Sequence, residues 1–321
     1  MIADAFVIAI LIALNERGKV QVSDTMFYNS FHEAMMRRFG CKVYKLALDG
    51  GFTCPTRDGT LGTRGCIFCS ARGSGDFSEP AAQIELAKSR VADKVKTGKY
   101  IAYFQNFTNT YAPVSRLREV FSPVMALPEI VALDIATRPD CLEPEKVAFL
   151  QELNQKKPVW VELGLQTVNE KTADYIRRGF HLAVFDDAVK RLKAAGLEVI
   201  VHMIIGLPGD TEEDIYKTAS YISDSGADGI KLQLLHVLKD TDLYQEYIAG
   251  KFQTLSLPEY IHLLEGCIQR LRPEIVIHRM TGDGPKKDLA APLWSGDKKR
   301  VLNAIRAAFQ QDQIVQGSMN H

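Results

Sequence analysis

Three cysteines in one glycine-rich stretch carry the clearest chemical signal in the sequence. Cys54, Cys66 and Cys69 form the pattern C-x11-C-x2-C. In a cytoplasmic chain, thiols at close spacing bind metals or act in catalysis rather than forming disulfides. A closed zinc site needs four thiolates or a mixture of Cys and His, and none of the seven histidines lies within reach along the loop. The alternative is an iron–sulfur cluster held by three thiolates, which leaves one iron open.

The other cysteines are scattered through apolar segments. Cys41, Cys141 and Cys267 have no partner at metal-binding spacing. A buried, unreactive thiol is the usual state of such residues. We therefore expect all three to be replaceable, and we expect the protein to be cytoplasmic.

The cysteine pattern resembles that of the radical S-adenosylmethionine (SAM) superfamily. The usual pattern is C-x3-C-x2-C with an aromatic residue before the last Cys, and Phe68 holds that place here. The first gap is eleven residues instead of three, as in the YhcC-like or YtqA-like subgroup related to the Elongator catalytic subunit. The resemblance extends from about Phe31 to the C-terminus.

This resemblance implies a specific chemistry. Cys54, Cys66 and Cys69 would hold a [4Fe-4S] cluster whose open iron binds SAM. One-electron reduction, by a flavodoxin- or ferredoxin-like donor, would cleave SAM to methionine and a 5′-deoxyadenosyl radical that abstracts hydrogen from a substrate. The protein would position this chemistry and exclude water.

Two polar residues after the second predicted strand are candidates for SAM binding. Gln105 and Asn106 stand where many members of the superfamily have a glycine-rich stretch that holds the SAM amino group, and the glycines are missing here. Together with Thr108, they would have to act through their side chains. The alternative is a polar loop with local hydrogen bonds to its own backbone.

The fourth predicted strand supplies three further candidates. Gln166, and Arg178 twelve residues later, resemble the SAM-contacting pair of the coproporphyrinogen-dehydrogenase-like pattern. Glu162 interrupts an apolar strand, and burying an unpaired carboxylate is costly. We expect Glu162 to point into the barrel mouth, toward SAM or other polar partners. The alternative is a structural ion pair with Arg or Lys.

Later strands add weaker candidates. His202 lies on the strand before the turn Gly206–Gly209, at a position where related enzymes often place a polar SAM contact. The alternative is a satisfied core residue, which is the more common state of a lone His on an apolar strand. Lys231 and Gln233 share one face of the sixth strand and, with His236, could line the substrate end. The segment 137–140 contains Arg138 and Asp140, which are either functional or part of a strand-end turn.

Alternating apolar and amphipathic segments predict the elements that position these residues. Apolar runs followed by helical patterns favour parallel strands buried on both faces. Thr211 and Asp214 predict a capping box at a helix start, and Gly196 a helix end. This alternation predicts an α/β fold with a parallel sheet or barrel, and the resemblance implies a partial (β/α)6 TIM-type radical SAM barrel with a C-terminal extension. The predicted strands are Val43–Leu48, Tyr100–Phe104, Ile130–Ile135, Val159–Gly164, Glu198–Ile205 and Gly229–Leu235, with a strand-like Glu274–His278 in the extension.

We divide the chain into three parts. Residues 1–30 form an N-terminal segment, 31–255 the radical SAM core and 256–321 the extension. The apolar run Ala5–Leu14 is shorter than the ~20 residues of a membrane span, so no membrane association is expected. It is either a short docked helix or sequence upstream of a true start at Met26.

Composition leaves the substrate open. The chain has 39 basic and 39 acidic residues, so a strongly basic nucleic-acid binder is not indicated globally. Kinship with Elongator-like members points to RNA or tRNA, with phosphate contacts from basic residues of the extension. The alternatives are a radical SAM enzyme acting on a small metabolite and a non-catalytic zinc-stabilised module. The basic residues are Lys286, Lys287, Lys298, Lys299 and Arg300.

Overall fold

The structure is a computed structural model of the chain. The alternative start at Met26 and the apolar run Ala5–Leu14, apart from the backbone of its last two residues, lie outside the residues that it describes. The described residues are 27–73, 84–94, 97–282 and 286–320, together with the backbone of 13–14, 20–21 and 79–80.

Strands and helices alternate through most of the chain. The strands are β1 (Ala13–Leu14), β2 (Val20–Gln21), β3 (Tyr44–Asp49), β4 (Glu79–Pro80), β5 (Tyr100–Phe104), β6 (Ile130–Thr137), β7 (Val159–Gln166), β8 (Glu198–Ile205), β9 (Gly229–Leu234), β10 (Val237–Leu238), β11 (Val276–Arg279) and β12 (Leu289–Ala291). The helices are α1 (Phe31–Phe39), α2 (Ile84–Ser89), α3 (Val114–Ala126), α4 (Pro144–Asn154), α5 (Glu170–Tyr175), α6 (Leu182–Ala194), α7 (Glu212–Asp224), α8 (Asp242–Ile248), α9 (Leu257–Arg270) and α10 (Lys298–Gln311).

One parallel sheet organises the described part of the chain. Its strand order is β11-β9-β8-β7-β6-β5-β3-β4, and every neighbouring pair in it is parallel. Seven of these strands curl into a half-barrel, and β4 adds two residues at one edge. The predicted α/β partial barrel is confirmed. A seventh strand, β11, comes from the predicted extension and pairs with β9, while the division at residues 255 and 256 stays a prediction.

Local sequence signals account for the helix boundaries. Thr211 and Asp214 form the predicted capping box at the start of α7, and the Thr211 side chain accepts a hydrogen bond from the Asp214 backbone N–H. Gly196 follows α6 with φ of 71°, a left-handed conformation that glycine adopts without strain. These signals set where each helix begins and ends, and so the lengths of the loops that carry the site.

Side chains on the concave face of the sheet form three layers, because residues two apart on a strand face the same side. The first layer is an apolar cluster that packs against Met35 of α1 and contains Val43, Ile101, Ala132, Trp160 and Ile200. The second layer is polar and contains Lys45, Tyr103, Asp134, Glu162, His202 and Lys231. The third layer lines a cavity and contains Gln105, Ala136, Gly164, Ile204 and Gln233.

The opposite face of the sheet packs against the helices. Its side chains and the apolar faces of α3, α4, α6, α7 and α9 form the largest buried cluster. In the described parts of the chain, no helix is both long and apolar enough to cross a bilayer.

Candidate active site

A cavity of about 240 Å³ opens at the carboxyl ends of the strands. The thiols of Cys54, Cys66 and Cys69 all border it, together with the third layer of the sheet. Parallel α/β barrels place their reactive groups at this end, because the loops that follow the strands meet there. The cavity therefore joins the cysteine loop to the strand-end polar residues.

The cysteine loop leaves β3 through a tight turn. The Gly51 N–H donates to Asp49 Oδ1 at 2.8 Å, and Gly51 has φ of 70°, which favours glycine. Cys54 is buried, and its Sγ lies 3.0 Å from the hydroxyl oxygen of Thr56. These contacts fix the first thiol close to the strand from which the loop starts.

The other two thiols form a local pair. The backbone N–H of Cys69 donates to the Cys66 carbonyl at 3.0 Å, and Cys66 Sγ lies 3.8 Å from the carbonyl oxygen of Arg177. The hydrogen bond from the Cys69 thiol is the largest cause that lowers the pKa of Cys66, to about 7, with burial opposing it. The same bond raises the pKa of Cys69. One thiolate of the pair is therefore accessible near neutral pH, as metal binding requires.

The donor set fits a thiolate-held cluster. Three thiols from one loop border one cavity, whereas a structural zinc site needs four ligands around a single point. Within the described ranges, no three His, Cys, Asp or Glu side chains are gathered closely enough to hold one metal ion. A [4Fe-4S] cluster spans a wider space than a single ion and takes Cys thiolates as ligands. The residues present therefore suit the cluster better than zinc.

Two arginines near the thiols are held by carboxylates. Arg138 donates to both oxygens of Asp140, at 2.9 and 2.7 Å. Arg177 donates to Asp242 at 2.5 Å. Arg138 and Asp140, singled out from the sequence, thus form an ion pair with each other, and Arg138 also lines the cavity.

Three residues with left-handed backbone border the thiols or the cavity. Phe107 has φ of 55°, Gln166 of 71° and Arg177 of 60°, although none is glycine. Phe107 and Gln166 line the cavity, and the Arg177 carbonyl faces Cys66. Such conformations cost about 1–3 kcal/mol each and tend to occur at functional sites.

The residues predicted for the SAM amino group differ in their surroundings. Gln105 lines the cavity. Asn106 is buried, and its Nδ2 donates to Asp49 Oδ2 at 2.8 Å, so it ties the second strand-end loop to the cysteine loop. Thr108 is also buried and lines the cavity. The SAM contacts themselves stay predictions.

Gln166 has an unsatisfied oxygen in the cavity wall. Its Oε1 is buried and has no hydrogen-bond partner among the residues that the structure describes. A buried carbonyl without a partner costs about 1–3 kcal/mol, which a bound donor would recover. Gly164 leaves room for this side chain, because a Cβ at Gly164 would lie 2.8 Å from Gln166 Nε2. This feature suits a ligand with N–H or O–H groups.

Arg178 holds the loop that follows Gln166. Its guanidinium donates to the carbonyl of Thr167 at 2.7 Å and of Phe180 at 2.9 Å, and it pairs with Glu170 at 2.8 Å. The side chain is 2% exposed. These bonds give Arg178 a structural role beside its predicted SAM contact, because they hold the backbone next to Gln166.

Glu162 is at the centre of the polar second layer. Its Oε1 accepts from Lys45 Nζ at 3.0 Å, and its Oε2 accepts from Lys231 Nζ at 2.5 Å. Nε2 of His202 lies 2.7 Å from the same Oε2. Glu162 is fully buried yet borders the cavity. Its carboxylate already has three protein partners, so a SAM hydroxyl or amino group would have to compete with them.

The remaining second-layer groups surround this carboxylate. Lys45 also pairs with Asp134, and Lys231 Nζ donates to Tyr103 Oη at 2.8 Å. Burial, followed by the Glu162 charge, raises the pKa of Asp134 to about 7. Burial lowers the pKa of Lys231 to about 7 against the attraction of Glu162. Lys231 thus lies below the cavity, whereas Gln233 and His236 line it.

Part of this layer was not predicted from the sequence. Lys45, Tyr103 and Asp134 were not singled out. Lys45 and Asp134 each interrupt an otherwise apolar strand, as Glu162 does, and that pattern could have identified them. Arg57, which lies within the cysteine loop and lines the cavity, was also missed.

Models of two known domains match this chain. The model described as the Radical SAM superfamily matches residues 60–222, half of the chain, and the Radical_SAM C-terminal domain matches residues 227–311. The first match includes Cys66 and Cys69 and begins after Cys54. Together the matches cover the sheet from β5 to β11.

Individual proteins are similar over different lengths. The chain is 44% identical to YtqA of Bacillus subtilis over 295 residues, which cover 90% of this chain and 92% of that protein. It is 30% identical to the tRNA uridine(34) acetyltransferase of Methanocaldococcus jannaschii over 54% of this chain and only 32% of that protein. Among solved structures, Elp3 of Methanocaldococcus infernus gives a TM-score of 0.66 at 19% identity, covering 85% of this chain and 64% of that one. At that identity the likeness shows the fold alone.

Proposed function

The chain belongs to the radical SAM superfamily, and from this premise we propose that it modifies an RNA, with tRNA as the favoured substrate. Members of the superfamily are enzymes that use a [4Fe-4S] cluster and SAM. A non-catalytic zinc module is therefore set aside. The convergence of Cys54, Cys66 and Cys69 on one cavity is the observation that carries the proposed site.

In this proposal the three thiolates hold the cluster. When bound, the cluster and SAM supply one-electron chemistry that activates a substrate hydrogen. The protein side chains bind and orient: Gln166 offers its unsatisfied oxygen, and Gln105 borders the same cavity. Asn106, Arg178 and the Glu162–His202 pair support these positions from the loops and from the second layer. The electron comes from a one-electron donor of the flavodoxin or ferredoxin class.

The extension brings exposed positive charge close to the cavity. Strand β12 pairs with β10, and Leu238 of β10 lines the cavity. The Lys239 N–H donates to the Asp288 carbonyl at 2.9 Å, which ties the segment containing Lys286 and Lys287 to this wall. Both lysines are exposed. A nucleic acid reaching into the cavity could therefore place its phosphates against this segment.

Helix α10 offers a second basic surface. Lys298, Lys299 and Arg300 are exposed and occupy its first turn. Cations are unfavourable there, because the positive end of the helix dipole lies at the N-terminus. Three exposed basic side chains in one turn form a surface that suits an anionic partner. The similarity to the tRNA uridine(34) acetyltransferase of M. jannaschii supports RNA as that partner.

A small polar metabolite is the second candidate. Gln233 lines the cavity, and Lys231 lies directly below it in the second layer. These groups could hold a small substrate inside the barrel without any contact to α10. In that case the basic residues of the extension would have no part in turnover.

The experiment compares RNA and metabolite pools. Cells lacking the gene are complemented with the wild-type chain, with Cys66→Ala or with the matched control Cys41→Ala. Nucleosides from purified tRNA and the small-metabolite pool are then compared by mass spectrometry. A nucleoside change restored by the wild type and by Cys41→Ala, but not by Cys66→Ala, supports the proposal. A change confined to the metabolite pool contradicts it.

A further inference from the structure

The guanidinium group of Arg57 lies inside the cysteine loop. Its Nη2 donates to the carbonyl oxygens of Cys69 at 3.2 Å and Ser70 at 2.6 Å. A Cβ at Gly65 would lie 2.8 Å from Arg57 Nε, so glycine lets the loop pass against this side chain. Arg57 therefore packs on the backbone that carries Cys66 and Cys69, and it lines the same cavity as the thiols.

Arg57 differs from the other two arginines near the thiols in its charge balance. Arg138 pairs with Asp140, and Arg177 shares Asp242 with Arg64. Among the side chains that the structure describes, no carboxylate lies within ion-pair distance of Arg57. Its partners are carbonyl oxygens and the ring of Phe107, whose centre lies 5.5 Å from the guanidinium carbon. Within the described residues, its positive charge therefore has no paired carboxylate where the thiols converge.

An uncompensated charge at this position acts on the electron affinity of an iron–sulfur cluster. Reduction adds one negative charge, and a nearby cation stabilises the reduced form more than the oxidised form. The net charge around a cluster and its hydrogen bonds are among the factors that set its reduction potential. An arginine paired with a carboxylate has a weaker effect, because the two charges largely cancel at a distance.

We propose that Arg57 is a positioning residue with two roles. Its unpaired charge raises the reduction potential of the [4Fe-4S] cluster. Its hydrogen bonds to two backbone carbonyls hold the cysteine loop in place. This inference rests on the proposed function, since it requires the cluster. It assigns two separable roles to one side chain. A lysine at position 57 would keep the positive charge, but it lacks the planar guanidinium group that contacts both carbonyls.

The test is a redox titration of the reconstituted full-length protein without SAM. The reduced-cluster signal is followed by electron paramagnetic resonance against dithionite with mediators, and iron per chain is measured in parallel. The variants are Arg57→Gln, which removes the charge, and Arg57→Lys, which keeps it. The matched control is the double variant Arg138→Gln with Asp140→Asn, because it removes both charges of a paired arginine beside the same cavity.

We expect Arg57→Gln to move the midpoint potential to more negative values and the double variant Arg138→Gln with Asp140→Asn to move it less. Arg57→Lys should keep the potential near that of the wild type but bind less iron, since the loop loses a hydrogen bond. An unchanged potential in Arg57→Gln, or an equal shift in the double variant, would overturn the inference.

A further variant covers the case in which Arg57→Gln binds no iron. Asp140→Asn releases the charge of Arg138, so the potential should rise, and an unchanged potential would again overturn the inference. Wild-type protein that holds no cluster would instead contradict the proposed function. The two failures are therefore distinguishable.

Discussion

Nε2 of His202 lies 2.7 Å from Oε2 of Glu162, and both residues belong to the polar second layer and border the cavity. Burial opposes ionisation of Glu162, but the charges of Lys231 and Lys45 lower its pKa well below the usual value. Burial lowers the pKa of His202, so its imidazole is neutral at neutral pH. The Nε2 nitrogen must then carry the proton, because a carboxylate only accepts. This bond fixes the orientation of the ring at the cavity wall.

The second layer should make a large contribution to stability through Glu162. Glu162→Gln leaves Lys45 and Lys231 buried without their shared countercharge, which costs about 3–5 kcal/mol in free energy of unfolding. Urea denaturation of the apoprotein measures this loss in free energy of unfolding. Glu152→Gln is the control, because Glu152 forms an exposed pair with Arg118 and should change stability little. Equal effects of the two changes would argue against a buried charge network.

Asp134 should make stability depend on pH in a defined window. Its ordinary pKa is 3.8, and burial followed by the Glu162 charge raises it to about 7 in the folded protein. As pH rises through this window, the unfolded carboxyl has lost its proton while the folded one keeps it, so the Asp134 contribution to stability falls. The free energy of unfolding of the wild type minus that of Asp134→Asn, measured by denaturation at several pH values, should therefore decrease from pH 4 to pH 7. A difference that increases would show that Asp134 is ionised when folded.

Gln166 should affect SAM binding without affecting the cluster. Gln166→Ala removes the unsatisfied oxygen that lines the cavity. A lost hydrogen bond to a charged group costs about 1.5–3 kcal/mol, or roughly ten- to a hundredfold in Kd. Calorimetry with SAM on anaerobic protein measures this. Gln233→Ala, on the same cavity but on β9, should keep both SAM affinity and iron content, and unchanged affinity in Gln166→Ala would refute the assignment.

The basic residues of α10 should determine the salt dependence of RNA binding. Each neutralised phosphate contributes roughly −0.7 to −0.9 to the slope of log affinity against log salt. Replacing Lys298, Lys299 and Arg300 with Ala should flatten this slope and weaken binding to bulk tRNA, while SAM cleavage without substrate continues. The control replaces three exposed lysines on other helices: Lys171, Lys190 and Lys217. If both triple variants lose affinity equally, α10 is not a specific contact.

The fold could be predicted from the sequence because strands buried on both faces read as continuous apolar runs. The cysteine motif could also be predicted, because its residues are close together in the sequence. The second layer was not, since the contact between Lys45 and Glu162 joins strands that are 117 residues apart in sequence. Which residues of β3 and β7 meet depends on the stagger between strands. Similarly, the spacing of Gln166 and Arg178 could not show that the guanidinium of Arg178 binds backbone carbonyls.

Iron and acid-labile sulfide in anaerobically reconstituted Cys66→Ala test the central claim most directly. We expect about four irons per chain in the wild type, from ligation by three thiolates, and loss of the cluster in Cys66→Ala. Cys41→Ala is the control, because Cys41 lies before β3 and outside the cavity lining, and it should keep the wild-type content. Full iron and sulfide in Cys66→Ala would contradict the assignment of the cysteine loop as the cluster site.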